Sequence, residues 1–349
     1  MSHLARCPCL RPTLGLLVLL CVWTAACFRA GTPSGAVVVE SRPERAMGSS
    51  FHMVVVTESG QEARAQALFD KAQAELATLD RRLSIHLNEG ELAQVNRAAA
   101  GTVVPVSTDT LKIVAEARAA TERTGGAFNA TALPLFKLWR QTANEDRRPT
   151  AVEIAEAQAL VGWQLFTIAN GGVTKNHDLA GIDLGGIAKG VAVDRVTAIL
   201  AKSKAQAGLV QLGGETRVFG PGPNTDGSWS VSVPSPFGAN AVAELRLRDH
   251  AVSTSGNYHR FLTIGGEQVS HIINPITGTP AFKVPLVTVV AYDAEEADLW
   301  STALGVLGKE GLTRIPHGVE ALLVLGEPNA AQLVTTPGMQ AFLAAPARL

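Results

Sequence analysis

An acid, two glycines and a lysine fall within eight residues, Asp183-Leu184-Gly185-Gly186-Ile187-Ala188-Lys189-Gly190, and could together handle a phosphate. Glycines let backbone approach a ligand closely, and a helix N-terminus attracts negative charge. Lys189 adds a mobile positive charge. The spacing is neither that of a P-loop nor that of the dinucleotide fingerprint. Read alone, the segment describes equally well a tight turn into a helix with a solvated lysine.

A second segment, Ala297-Asp298-Leu299-Trp300-Ser301-Thr302, supplies oxygens. Asp298, Ser301 and Thr302 stand at i, i+3 and i+4, so on a helix they share one face and can converge on one point. A carboxylate with hydroxyls is hard oxygen chemistry that suits Mg²⁺, with Mn²⁺ or Ca²⁺ as alternatives. The competing reading is a capped helix bearing small polar residues. Three further segments carry turn chemistry: Gly213-Gly214-Glu215 at a strand end, Thr254-Ser255-Gly256 after an apolar strand, and the loop His271–Pro280 with Asn274 inside it. The glycines of Gly125-Gly126-Ala127-Phe128-Asn129-Ala130-Thr131 read as a helix C-cap.

The elements that must hold these segments follow from periodicity. Val37–Val39, Met53–Val56, Leu165–Ile168, Val173–Thr174, Leu209–Leu212, Trp229–Val233, Leu245–Arg248, Phe261–Ile264, Val287–Ala291 and Leu322–Leu325 read as strands. Asn170-Gly171-Gly172 reads as a hairpin turn. Ala65, Leu68, Ala72, Leu76, Leu79 and Leu83 repeat at three and four, which predicts a helix over 61–83. Further helices are predicted from Ser107 or Asp109 to Gly125, from a Thr150/Glu153 capping box to Gly162, from the 183–190 segment to Ala201, and from an Asp293/Glu296 cap to Gly308. Helices and strands mix without strict alternation, so the class is α+β (mixed α/β).

The chain has 349 residues, 46% hydrophobic content and 17% charged residues, enough for a large core in one domain or two intimate subdomains. A net charge of −1 leaves no basic footprint for nucleic acid. Arg6 and Arg11 precede an apolar run of ten residues, Leu14–Trp23, too short to span a bilayer as a mature helix. Thr24, Ala25 and Ala26 then lead to Cys27, which predicts a lipoprotein-type signal peptide over 1–26 with Cys27 as the lipidation site; plain secretion is the alternative. All four cysteines (Cys7, Cys9, Cys21, Cys27) lie in this region, so cleavage before Cys27 leaves no intrachain disulfide. Residues 27–35 read as a tether and 36–345 as the folded domain.

In their order, these segments resemble the ApbE family, the FAD:protein FMN transferases. The resemblance spans about Ala46 to Gly308. It is carried by Ala46-Met47-Gly48-Ser49, by Gly126–Thr131 with Pro134-Leu135 and Trp139, by Asp183–Gly190 with Asp194, by Gly213-Gly214-Glu215, Thr254-Ser255-Gly256 and His271–Pro280, and by Ala297-Asp298 with Ser301-Thr302. It implies one ApbE-like catalytic domain that uses FAD as substrate with a divalent metal, usually Mg²⁺. The FMN half passes to a threonine hydroxyl of a target protein, and AMP is released. It implies a FAD site lined by Met47, His86, Ala127, Phe128, Asn129, Asp183, Lys189 and Ile273. The metal segment matches Asp298, Ser301 and Thr302, with Gly186 contributing its carbonyl.

His271 is the expected base for the acceptor hydroxyl, with Asp183 as the alternative; Lys189 completes the expected catalytic set. The family usually carries tyrosine at position 86 and aspartate at 129 and 274, where this chain has His86, Asn129 and Asn274. Asparagine keeps hydrogen bonding and loses charge and basicity. The expected partners are exported acceptor proteins of membrane redox complexes, and the membrane itself through the lipid anchor. The expected location is the bacterial cell envelope, at the periplasmic face of the inner membrane. Two other functions use the same residues: a Mg²⁺-dependent FAD pyrophosphatase, and a flavin-binding lipoprotein without catalysis.

Overall fold

The computed structural model describes residues 35–349 except 44, 170, 204, 257–260, 271 and 282–283. The expected signal peptide, Cys27, most of the tether, and His271 therefore lie outside the described residues. The described residues begin with β1 (Ala36–Ser41), β2 (Phe51–Glu58), α1 (Glu62–Leu83), α2 (Glu91–Arg97) and β3 (Val103–Pro105). Next come α3 (Thr108–Arg123), α4 (Leu133–Asn144), α5 (Ala151–Ala159), β4 (Phe166–Ala169), β5 (Gly172–Lys175) and α6 (Ala188–Ala201). Then follow β6 (Ala207–Leu212), β7 (Glu215–Phe219), β8 (Trp229–Pro234), β9 (Ala241–Leu247), β10 (Ala251–Gly256), β11 (Phe261–Ile264) and β12 (Glu267–Ser270). The chain closes with β13 (Leu286–Ala291), α7 (Ala294–Leu307), β14 (Glu320–Leu325) and β15 (Gln332–Thr335).

Eight strands form one antiparallel sheet in the order β1-β2-β6-β7-β10-β13-β14-β15. Its strands are apolar on both faces, as a sheet covered on both sides requires. Met53, Val55, Val210, Val287, Val289 and Leu323 face helices α1, α6 and α7, burying Phe69, Leu76, Val193, Leu299 and Trp300. Val54, Val56, Val252, Val290 and Leu322 face the β8–β9 hairpin, with Trp229, Leu245 and Met339 between. A smaller core of Leu135, Trp139, Ala157, Ile264, Val269 and Ile273 joins α4 and α5 to the β11–β12 hairpin.

Each predicted helix forms, and the predicted caps are made. Ser107 Oγ accepts from Thr110 N–H at 3.2 Å, Thr150 Oγ1 from Glu153 N–H at 3.2 Å, and Asp293 Oδ1 from Glu296 N–H at 2.8 Å. Two turn assignments are corrected. Thr254-Ser255-Gly256 is not a turn but the end of β10, paired with Thr288, Val287 and Leu286 of β13. Glu215 does not end a strand; Gly213, at φ +64°, and Gly214 turn the chain, and Glu215 opens β7. Backbone pairing also runs past 345, since Arg348 N–H donates to Val242 O at 2.8 Å. No helix among the described residues is long and apolar enough to cross a membrane.

Candidate functional site

Helices α6 and α7 cross at Gly190. A side chain there would bring Cβ within 2.7 Å of the Ala294 carbonyl carbon and of Glu295 Cα, so only glycine permits this approach. Asp194, one turn further along α6, caps α7: its carboxylate accepts the N–H groups of Ala294 and Glu295, each at 2.9 Å. Burial pushes the Asp194 carboxyl above its ordinary range, against the pull of those N–H groups and of Arg217.

That crossing joins the two stretches that lie 109 residues apart in sequence. Asp298 is 1% exposed, and its Oδ2 accepts the Gly190 N–H at 3.0 Å. Its Oδ1 lies 3.4 Å from Lys189 Nζ, which donates at 2.7 Å to Glu215 Oε1. Burial lowers the Lys189 pKa, but the Asp298 and Glu215 carboxylates outweigh it and hold the amine above its ordinary value. Glu215 is 2% exposed and its pKa is pushed up to about 7, first by burial and further by Asp298, with Lys189 opposing. Glu215 Oε2 is buried without a hydrogen-bond partner. Two buried carboxyl groups thus face one ammonium, so ionisation of both leaves one negative charge unbalanced.

The turn before α6 completes the site. Asp183 N–H donates to Ala130 O at 2.7 Å, and Asp183 Oδ1 accepts the Gly185 N–H at 2.8 Å. Burial raises the Asp183 pKa, opposed by the Gly185 N–H and by the charges of His86 and Arg140. Thr302 Oγ1 lies 3.4 Å from Gly186 O, and a Cβ at Gly186 would sit 3.1 Å from both Phe128 and Thr302. The expected three-way convergence on α7 is split. Asp298 and Thr302 face the 186–190 segment. Ser301 Oγ instead bonds across to Ser253 Oγ at 2.9 Å and Ser255 Oγ at 2.8 Å on β10. The donor set fits a hard cation: a carbonyl, a hydroxyl and a carboxylate, beside the unpartnered buried Oε2 of Glu215. No group of three His, Cys, Asp or Glu side chains that could hold a metal occurs among the described residues.

The other expected residues surround this core. Ala46–Ser49 form a tight turn with Met47 at φ 45° and Gly48 at φ 72°, and Ser49 abuts Gly213 beside Glu215. Ala127 and Phe128 are buried, and Thr124 Oγ1 accepts the Phe128 N–H at 3.1 Å. Asn129 Oδ1 accepts from Thr131 N–H at 3.0 Å and Thr131 Oγ1 at 2.7 Å. His86 is exposed near Asp183. Ile273, 2% exposed, packs into the α4–α5 core, while the loop beyond it reaches the Gly126 turn through Ile276. Glu215 as the ionic partner of Lys189 escaped the sequence reading, although the Gly-Gly-Glu motif had marked its position.

The sequence model of the ApbE family matches residues 47–323. The chain belongs to the ApbE family. It is 32% identical over 339 residues to an FAD:protein FMN transferase of Klebsiella pneumoniae, covering 93% of this chain and 95% of that protein. It is 29% identical over 292 residues to that of Escherichia coli K12, covering 80% and 83%. Among solved structures, the ApbE protein of Thermotoga maritima superposes with a TM-score of 0.78 at 30% identity, covering 88% of this chain and 99% of that one. The apo flavinyl transferase ApbE of Pseudomonas stutzeri gives 0.78 at 29% identity, covering 89% and 98%. The mixed helix-and-sheet architecture is thus the ApbE fold, and the α6–α7 crossing is how this ApbE chain brings its lysine and acids together.

Proposed function

We propose that this chain is an FAD:protein FMN transferase, moving FMN from FAD to a hydroxyl of a target protein and releasing AMP. The observation that carries the reading is the junction of Lys189, Glu215 and Asp298 beside the Gly186–Thr302 pair, in a chain with this family membership. In the reaction the acceptor oxygen bonds to the FMN phosphorus, the bond from that phosphorus to the AMP phosphate breaks, and the hydroxyl proton leaves to a base. The acceptor hydroxyl is that of a threonine. Lys189 stabilises charge that builds on the phosphoryl oxygens. Its two carboxylate partners keep it protonated and fix its direction.

Gly186 O, Asp298 and Thr302 Oγ1 would hold a divalent cation, Mg²⁺ in the first instance, with Ser301 bracing α7 against β10. When bound, that cation neutralises diphosphate charge. Asp183 or His271 takes the acceptor proton; its raised pKa moves Asp183 toward the basicity the role demands. Met47, His86, Ala127, Phe128, Asn129 and Ile273 form the surroundings of the flavin dinucleotide. Asn129 serves its local turn as an acceptor, and so does Asn274, whose Oδ1 accepts the Ile276 N–H at 2.8 Å. A neutral amide does that work as well as a carboxylate. The signal-like start and Cys27 support a lipid-anchored protein on the periplasmic face of the inner membrane, acting on exported subunits of redox complexes.

The test incubates the purified chain with FAD, Mg²⁺ and an acceptor protein, following AMP and covalent flavin together. AMP with labelled acceptor supports the proposal. AMP with free FMN would instead make the chain a pyrophosphatase, and intact bound FAD would make it a binding protein. Asp298→Ala is expected to abolish Mg²⁺-dependent AMP release; unchanged Mg²⁺ dependence would remove the metal assignment.

A further inference from the structure

The segment from Asn176 to Ile182 leads into Asp183 with neither helix nor strand; its first half is a turn closed by Ala180 N–H to His177 O at 3.1 Å. Two side chains from outside the segment hold it from Asp178 onward. Asn96, on α2, donates from Nδ2 to Ile182 O at 2.8 Å and accepts the Ile182 N–H on Oδ1 at 2.8 Å. One carboxamide therefore makes both backbone bonds of the residue before Asp183, as a neighbouring strand would. Gly181 leaves the necessary room: a Cβ there would lie 3.2 Å from Asn96 Oδ1 and 2.8 Å from Leu133 Cδ2.

Behind Asn96 stands Lys175, the last residue of β5, at 1% exposure. Its ammonium donates to three carbonyls: Asn96 O at 2.7 Å, Asp178 O at 2.6 Å and Ala180 O at 3.4 Å. Burial lowers its pKa, with Lys137 adding to that and Asp178 opposing. A buried ammonium satisfied by carbonyl oxygens alone is costly to retain. Here it ties α2 to the loop that delivers Asp183, while Ala130 O holds Asp183 from the other side.

We propose that Asn96 is a positioning residue for the transfer reaction, its carboxamide setting Asp183 and the Gly185-Gly186 turn, with Lys175 locking Asn96 and the loop together. The inference rests on the functional reading above. Both residues act through the backbone of the loop that precedes Asp183. Small displacements of reacting groups cost rate steeply, on the order of 10²-fold for ~1 Å.

The test measures kcat and KM for FAD in the full chain at 25 °C, with FAD affinity from flavin fluorescence. Asn96→Ala is expected to lower kcat about tenfold or more, with FAD affinity changed far less, because the flavin-side contacts remain. Lys175→Met is expected to move kcat in the same direction. Met339→Ala, in the core under the opposite sheet face, serves as the control: it lowers Tm and leaves kcat within about twofold. Should Asn96→Ala fail to fold, Asn96→Asp keeps the acceptor and loses the donor to Ile182 O, and is expected to give an intermediate loss. An active parent whose Asn96 variants keep kcat within twofold overturns this inference alone. A parent that neither binds FAD nor releases AMP overturns the functional reading and this inference with it.

Discussion

Lys189 is the residue on which the buried charge balance turns, because it stands between Glu215 at 2.7 Å and Asp298 at 3.4 Å, both almost wholly buried. Removing one member of a buried ionic group leaves its partners uncompensated, which typically costs about 3–5 kcal/mol. Lys189→Met is therefore expected to lose stability of that order in urea unfolding at pH 8 and to abolish AMP release. Adding Glu215→Gln removes one of the stranded charges. The double variant should regain part of the stability and none of the activity. Full recovery of activity would show that the amine takes no part in the chemistry. At this scale the sequence was informative where a side chain sits in a telling local context. Lys189 follows two glycines, and Asp298 lies one turn into a capped helix. Glu215 gave less away: its partner is 26 residues distant, and only tertiary burial makes a short strand-start glutamate unusual.

Helices α6 and α7 work as one element, since the site exists only where they touch. Gly190→Ala would drive a methyl into the Ala294 carbonyl, and overpacking of this kind typically costs about 1–3 kcal/mol. The expected result is a stability loss in that range, together with at least a tenfold loss of transfer as Lys189 moves relative to Asp298. Gly305→Ala, on α7 itself, makes the contrast: a Cβ there meets only Ile272 Cδ1, at 3.4 Å, an ordinary contact. It should be neutral or gain up to about 1 kcal/mol from helix propensity. Comparable losses in both variants would mean that glycine at 190 is not there for close approach. The capped helices α3, α5 and α7 were legible because their caps are local chemistry. Helix α4 was less so: Ala132 at its N-cap makes no side-chain hydrogen bond, and the start is marked by Pro134 in the first turn rather than by a cap. The end of β10 reads as a turn because Thr254 and Ser255 are polar. Their hydroxyls are satisfied by Thr288 and Ser301, partners 34 and 46 residues away.

Across the whole molecule, adjacency of distant strands was the least legible property. The β1–β2 pair follows from two neighbouring apolar runs, but β2 next pairs with β6 in the register Phe51↔Leu212, after a long helical excursion. Whole-chain charge is similarly uninformative: a net −1 conceals a local concentration of acids around the start of α7. Glu295 is pushed up to about 7 from 4.5, first by burial and then by Glu116, Asp194, Asp293 and Glu296. Arg123 pairs with Glu296 at 2.7 Å and Arg217 with Asp194 at 2.5 Å, yet neither relieves Glu295. A carboxyl whose pKa is higher in the folded chain than in the unfolded one binds its proton more tightly when folded. Its contribution to stability is present below pH 4.5 and is lost as pH rises through about 7. Glu295→Gln removes the ionisation, so its benefit should grow with pH. Discounted for the partial exposure of this side chain, the gain in unfolding free energy at pH 8 should exceed that at pH 5 by about 1–2 kcal/mol. Urea unfolding of parent and variant at the two pH values measures the difference. Equal gains at both would mean that the acids around α7 do not repel Glu295 in the folded chain, and that its carboxylate is solvated as in the unfolded one.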